Sequence, residues 1–153
     1  MKLSRWFLLL FSCSLFACTI KDEINIFEEI PNQKWEYSFI PKADVPIHDA
    51  KKNFNIYLNF KHNHTYPYSN LFYVLEVKGK DSLILSERFE IKLAKKDGKW
   101  LGKGSGSQYT YEDLILESFQ FPDTGMYTIE ISQNMRENPL NGVVAAGVRV
   151  LPN

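Results

Sequence analysis

Residues 54–77 constrain the fold more than any other stretch of this chain. Ile56, Leu58 and Phe60 alternate with Tyr57 and Asn59. That period of two puts successive side chains on opposite faces of a strand with one face buried. A polar and aromatic loop follows, His62-Asn63-His64-Thr65-Tyr66-Pro67-Tyr68-Ser69-Asn70. Apolar chain then resumes almost unbroken over Leu71-Phe72-Tyr73-Val74-Leu75, which reads as a strand covered on both faces. The chain here is two strands joined by an aromatic loop.

The same signals recur along the rest of the chain. Trp35-Glu36-Tyr37-Ser38-Phe39 reads as the first clear strand, and Pro41 and Pro46 bracket a loop. Gly79-Lys80-Asp81-Ser82 is a tight polar turn before Leu83-Ile84-Leu85, and Phe89, Ile91 and Leu93 share one face. Asp97-Gly98 is a hairpin signal. Residues 108–121 form one long strand or a strand plus a single turn. Pro122-Asp123-Thr124-Gly125 turns the chain into a strand with Tyr127, Ile129 and Ile131 inward. Residues 133–140 read as one short helical turn that stops near Pro139. After the turn pair Asn141-Gly142, Val144, Ala146, Val148 and Val150 line one face of a closing strand. About seven to nine strands with short turns and no long helix predict an all-β chain, a single β-sandwich of immunoglobulin-like or jelly-roll-like kind.

The first 17 residues stand apart. Lys2 and Arg5 precede an apolar run from Trp6 to Phe16, too short to span a bilayer, and Ala17-Cys18 follows. That is the pattern of a secretory signal peptide. The placement of Cys18 resembles the lipobox of bacterial lipoproteins, in which the cysteine becomes the acylated first residue. Cys18 is therefore the expected lipidation site. Its acyl chains would hold the protein on a lipid bilayer at about 0.8 kcal/mol per buried methylene. The expected organisation is a signal peptide (1–17), a lipidated tether (18–33) and a sandwich (34–153). Ile24, Ile26, Phe27 and Ile30 are too apolar for a pure spacer, so part of the tether is expected to pair with or pack on the domain edge. Lys21-Asp22-Glu23 reads either as a solvated linker or as a tag resembling the one that exports some lipoproteins to the outer face of the outer membrane. Cys13 leaves with the signal peptide, so the mature chain keeps Cys18 alone and has no intramolecular disulfide and no cysteine metal site.

Composition and motif spacing exclude several classes of function. Without Lys2 and Arg5 the 18 basic residues become 16, against 18 acidic ones. A near-neutral chain without a basic block has no nucleic acid partner. Gly102-Lys103-Gly104-Ser105-Gly106 lacks the spacing of a phosphate loop, and Ser107 stands where a dinucleotide fingerprint needs glycine. It reads as a loop or a bulged strand edge. His62 and His64 face the same way on a strand, but His48 is the only other histidine and a zinc site takes three or four ligands. No G-x-S-x-G is present. The acid pairs Glu112-Asp113 and Glu28-Glu29 point to opposite strand faces and cannot flank one bond. No catalytic residue, metal ligand or cofactor site is expected. Tyr66, Tyr68, Asn70 and Phe72 remain as a candidate partner-binding patch, since clustered aromatics serve as interface anchors, as sugar-stacking platforms or as ordinary core.

Several strings, in order, resemble the GldH family of gliding-motility-associated lipoproteins. They are the lipobox ending at Cys18, Tyr66-Pro67-Tyr68-Ser69-Asn70-Leu71, Gly98-Lys99-Trp100-Leu101-Gly102, Gly125-Met126-Tyr127 and Gln133-Asn134-Met135-Arg136. Leu140-Asn141-Gly142-Val143 and Gly147-Val148-Arg149 complete the series. The resemblance implies a non-catalytic cell-envelope lipoprotein, lipid-anchored at the outer membrane on its periplasmic or surface face. It would act with other envelope proteins of the gliding machinery, which is coupled to type IX secretion. A surface-exposed glycan- or nutrient-binding lipoprotein is the alternative.

Overall fold

The computed structural model describes residues 23–153. Cys18, the signal-peptide region and Lys21-Asp22 lie outside the described residues. The described chain is an antiparallel β-structure of two large sheets and a small one. The five-stranded sheet runs β1 (Ile24–Glu29), β11 (Val143–Pro152), β4 (Asn53–Asn63), β8 (Gln108–Gln120), β7 (Lys103–Ser105). The four-stranded sheet runs β3 (Lys42–Ile47), β9 (Gly125–Gln133), β5 (Asn70–Lys78), β6 (Leu83–Lys92). The short strands β2 (Lys34–Trp35) and β10 (Leu140–Asn141) pair with each other. The predicted all-β sandwich is the fold observed.

Alternation decides which side chains fill the space between the sheets. Ile56, Leu58 and Phe60 of β4 are fully buried, as are Leu71, Tyr73, Leu75 and Val77 of β5, Ile129 and Ile131 of β9, and Ala146 and Val150 of β11. Each fully buried branched or aromatic side chain contributes about 1.5–3 kcal/mol relative to exposure. Asp97-Gly98 forms the expected turn, with Gly98 at φ 82° and Asp97 Oδ1 accepting the Lys99 N–H at 3.1 Å. Residues 108–120 form one strand rather than a strand and a turn, bulged against β4 near Ile56.

Four local readings need correction. Residues 35–39 are not a strand, because β2 ends at Trp35 and the chain turns over Tyr37 and Ser38. Trp35 instead plugs the core and donates its indole N–H to the Phe39 carbonyl at 2.8 Å. The loop expected between Pro41 and Pro46 is strand β3, in which Ala43, Val45 and Ile47 are buried. Pro46 is tolerated there because β3 is an edge strand. β5 alternates between buried and half-buried residues, so its outer face is not covered as the apolar run suggested. Finally, residues 134–139 are irregular chain with bends over 136–139 rather than a helical turn, since the buried Gln133 side chain holds them. Its Oε1 accepts the Met135 N–H at 2.9 Å and its Nε2 donates to the Glu137 carbonyl at 3.1 Å.

The apolar stretch before the sandwich is part of it. β1 pairs with β11 from Ile24 opposite Val150 to Glu29 opposite Ala145, and Ile30 is buried. A Cβ at Gly147 would strike the backbone of Ile26, so β1 closes onto the sheet only over a glycine. β1 also sets the direction of the domain. Glu23 and Ile24 mark one end of the sandwich. The loop from β4 to β5 marks the other, where the Asn63 N–H bonds to the Gly142 carbonyl at 2.9 Å.

Candidate functional site

The loop between β4 and β5 is built by Asn63. Its side-chain oxygen accepts the Thr65 N–H at 2.7 Å and the Thr65 hydroxyl at 2.6 Å, and its carbonyl accepts the Tyr66 N–H at 3.2 Å. Such an Asx turn is a local alternative to the sheet ladder, and it turns the chain at once. Tyr66 is thereby driven inward. It is 3% exposed, its ring meets Phe60 at 5.7 Å and His62 at 5.2 Å, and its hydroxyl donates to the Asn70 carbonyl at 2.8 Å. Burial pushes the Tyr66 phenol far up from its ordinary range. Gly142, at φ 78°, runs directly beneath, where a Cβ would strike the Tyr66 backbone.

His62 is the centre of this inner cluster. Its ring lies 4.4 Å from Trp100 and 5.5 Å from Tyr109 between centroids. Burial lowers its pKa from 6.5, outweighing the Asn63 carbonyl 3.1 Å from Nδ1, which acts in the opposite direction. A buried neutral imidazole among aromatics is core. His64 is exposed, and no group of metal-ligating side chains occurs among the described residues.

Immediately outside this cluster lies a groove of about 410 Å³. It is lined by Tyr68, Asn70 and Phe72, by Arg88 from β6 on one side of β5, and by Asn134, Met135 and Arg136, which follow β9 on the other side. Phe72 faces out from β5, and Arg88 on β6 lies over its ring with Cζ 4.0 Å from the centroid. Arg88 Nε also donates to Asn134 Oδ1 at 2.7 Å. The Phe72 carbonyl accepts the Asn134 N–H at 2.8 Å, and the Phe72 N–H meets Met135 Sδ at 3.2 Å. Tyr68 donates its hydroxyl to Glu137 Oε2 at 2.8 Å, and that hydrogen bond raises the phenol pKa.

The candidate patch therefore divides. Tyr68, Asn70 and Phe72 line the groove, whereas Tyr66 is core and supports them from behind. Arg88, Asn134, Met135 and Arg136 join them in the lining and were not among the expected interface residues. Arg88 carries no sequence signal, being one charge in a charged strand. The Gln133-Asn134-Met135-Arg136 string was visible as a likeness, but nothing local tied it to residues 66–71. The glycine-rich run 102–106 supplies the edge strand β7 and the turn after it, next to Gln108. Glu112 faces out to Arg149 Nη1 at 3.3 Å, while Asp113 shares the inward face with Leu58 and burial raises its pKa.

Two of the strings through which the chain resembles a known family thus contribute to the lining of one groove, more than sixty residues apart in sequence. A family model described as GldH lipoprotein matches residues 23–150. The chain belongs to the GldH lipoprotein family. It is 28% identical to a gliding motility lipoprotein GldH homolog of Christiangramia forsetii, covering 94% of this chain and 93% of the relative. It is 26% identical to the gliding motility lipoprotein GldH of Flavobacterium johnsoniae, covering 94% of this chain and 92% of the relative. No solved structure matches the chain. Membership in a GldH lipoprotein family places the protein at the cell envelope. Among the described residues no helix is long and apolar enough to cross a membrane.

Proposed function

We propose that this protein is a lipid-anchored, non-catalytic component of the gliding-motility machinery, working beside type IX secretion at the outer membrane, and that the groove at Tyr68, Asn70 and Phe72 holds a protein partner. The observation that carries this reading is the convergence of the two GldH-like strings on one open groove. Acylated Cys18 is the anchor. The chain from Cys18 to Glu23 reaches at most about 17 Å, so the Ile24 end of the sandwich faces the lipid. The groove is at the other end, about one strand length of 17 Å or more further out. A partner meets it away from the bilayer surface. The glycan-binding alternative needs an open aromatic face, and Arg88 occupies that of Phe72.

In-cell crosslinking followed by purification of the tagged full-length lipoprotein tests the reading. Recovery of other gliding or type IX secretion components is expected. Recovery of sugar-uptake proteins, or of abundant envelope proteins alone, would overturn it. Cys18→Ser is expected to abolish acyl labelling and release the protein from the membrane fraction.

A further inference from the structure

The cations of this protein are not treated alike. Lys78 sits 2.8 Å from Glu76 and 2.6 Å from Glu130, and Arg149 sits 2.8 Å from Glu23 and 3.3 Å from Glu112. On the groove no such pairing occurs. Arg88 spends its Nε on the neutral Asn134 side chain and its face on Phe72. Arg136 has no hydrogen-bond or ion-pair partner among the described residues. Both nearby acids are engaged by neutral donors. Glu90 accepts from Asn70 Nδ2 at 2.7 Å, and Glu137 accepts from Tyr68 and from Asn141 Nδ2, each at 2.8 Å.

We propose that this groove is a carboxylate-binding site that takes an acidic segment of a protein partner, a proposal that rests on the partner-binding reading above. Charge complementarity commits it to an acidic occupant. Two guanidiniums without carboxylates line a cavity whose own lining holds no acid. A guanidinium fork accepts a carboxylate through two parallel hydrogen bonds. Arg88 is already oriented by Phe72 and Asn134, so less rotamer entropy is lost when it binds. The apolar part of the lining points to a peptide rather than a free ion. Phe72, Tyr68 and Met135 are apolar surface beside the charges, which rewards an apolar side chain next to the acid and strengthens the ion pairs. Sugar stacking on the covered face of Phe72 would have to displace the Arg88 guanidinium.

The test places the photocrosslinker p-benzoylphenylalanine at position Phe72 of the full-length lipoprotein in cells, with a control at Met126 at the other end of the domain. The crosslinked peptide is then sequenced by mass spectrometry. Expected is an adduct to a protein segment bearing Asp or Glu, absent at Met126. Arg136→Glu should cut its yield about tenfold, the effect of about 1.4 kcal/mol, and Arg136→Lys, which keeps the charge but loses the fork, should fall between the two. Arg136 makes no contact the fold relies on, so this variant keeps its structure. A protein adduct whose peptide lacks acids, or whose yield ignores Arg136→Glu, overturns the carboxylate site and leaves the partner reading standing. A polysaccharide or lipid adduct, or no adduct at position Phe72, overturns both.

Discussion

Tyr66 and Tyr68 are two residues apart in one loop and belong to different parts of the molecule. Tyr66 is part of a closed aromatic cluster with Phe60, His62 and Trp100, floored by Gly142. Tyr68 faces the groove, and its hydroxyl is satisfied by Glu137 at the rim. The inner half satisfies its polar atoms from its own backbone; the outer half leaves two arginines without a carboxylate partner. Side chains that complete their contacts within the fold hold the fold, and those left incomplete are available to something else.

That contrast can be broken by experiment. The largest effect is expected from Tyr66→Ala, a loss of about 3–5 kcal/mol in denaturant unfolding. A loss under about 1 kcal/mol would put Tyr66 on the surface side after all. Gly142→Ala attacks the same cluster without removing an aromatic ring. A forced left-handed residue against the Tyr66 backbone should cost about 1–3 kcal/mol from the conformation alone, and thermal melting reads it. A smaller effect of opposite sign is expected at Tyr73, whose buried hydroxyl has no hydrogen-bond partner among the described residues. Tyr73→Phe should stabilise the domain by about 1 kcal/mol; destabilisation would mean that the hydroxyl is satisfied.

His62 gives the inner half a pH signature. Its folded pKa lies below the ordinary 6.5 because burial disfavours the imidazolium. The unfolded chain therefore binds the proton first, so the stabilising contribution is complete above pH 6.5 and is lost as pH falls below it. Melting temperature against pH should show this slope, and His62→Gln should remove it; an unchanged slope assigns the titration elsewhere. The smallest stability effect belongs to the outer half. Arg136→Glu should leave unfolding within about 0.5 kcal/mol while cutting the groove adduct about tenfold, which separates the two halves cleanly.

Alternation along β4, β9 and β11 was enough to read off a sandwich and most of its core, because inside a strand the period of two ties each side chain to a face. The same logic failed where contacts come from elsewhere. Trp35 and the residues after it alternate like a strand, yet the chain turns there, because Trp35 fits a core pocket and caps its own turn through Phe39. β3 carries two flanking or internal prolines and looked like a loop, but an edge strand does not need every N–H. The near-neutral charge needed no structure at all, and neither did the family likeness that the comparisons bear out.

What the sequence by itself determined is the period of its strands and its membership among GldH lipoproteins. Tertiary structure alone decided that Tyr66 turns in and Tyr68 out, and that residues 68–72, Arg88 and residues 134–136 make one groove. The reason is that a loop has no period. Its side chains take their direction from Gly142, Trp100 and Gln133, which lie far away along the chain and meet the loop only once the two sheets have closed.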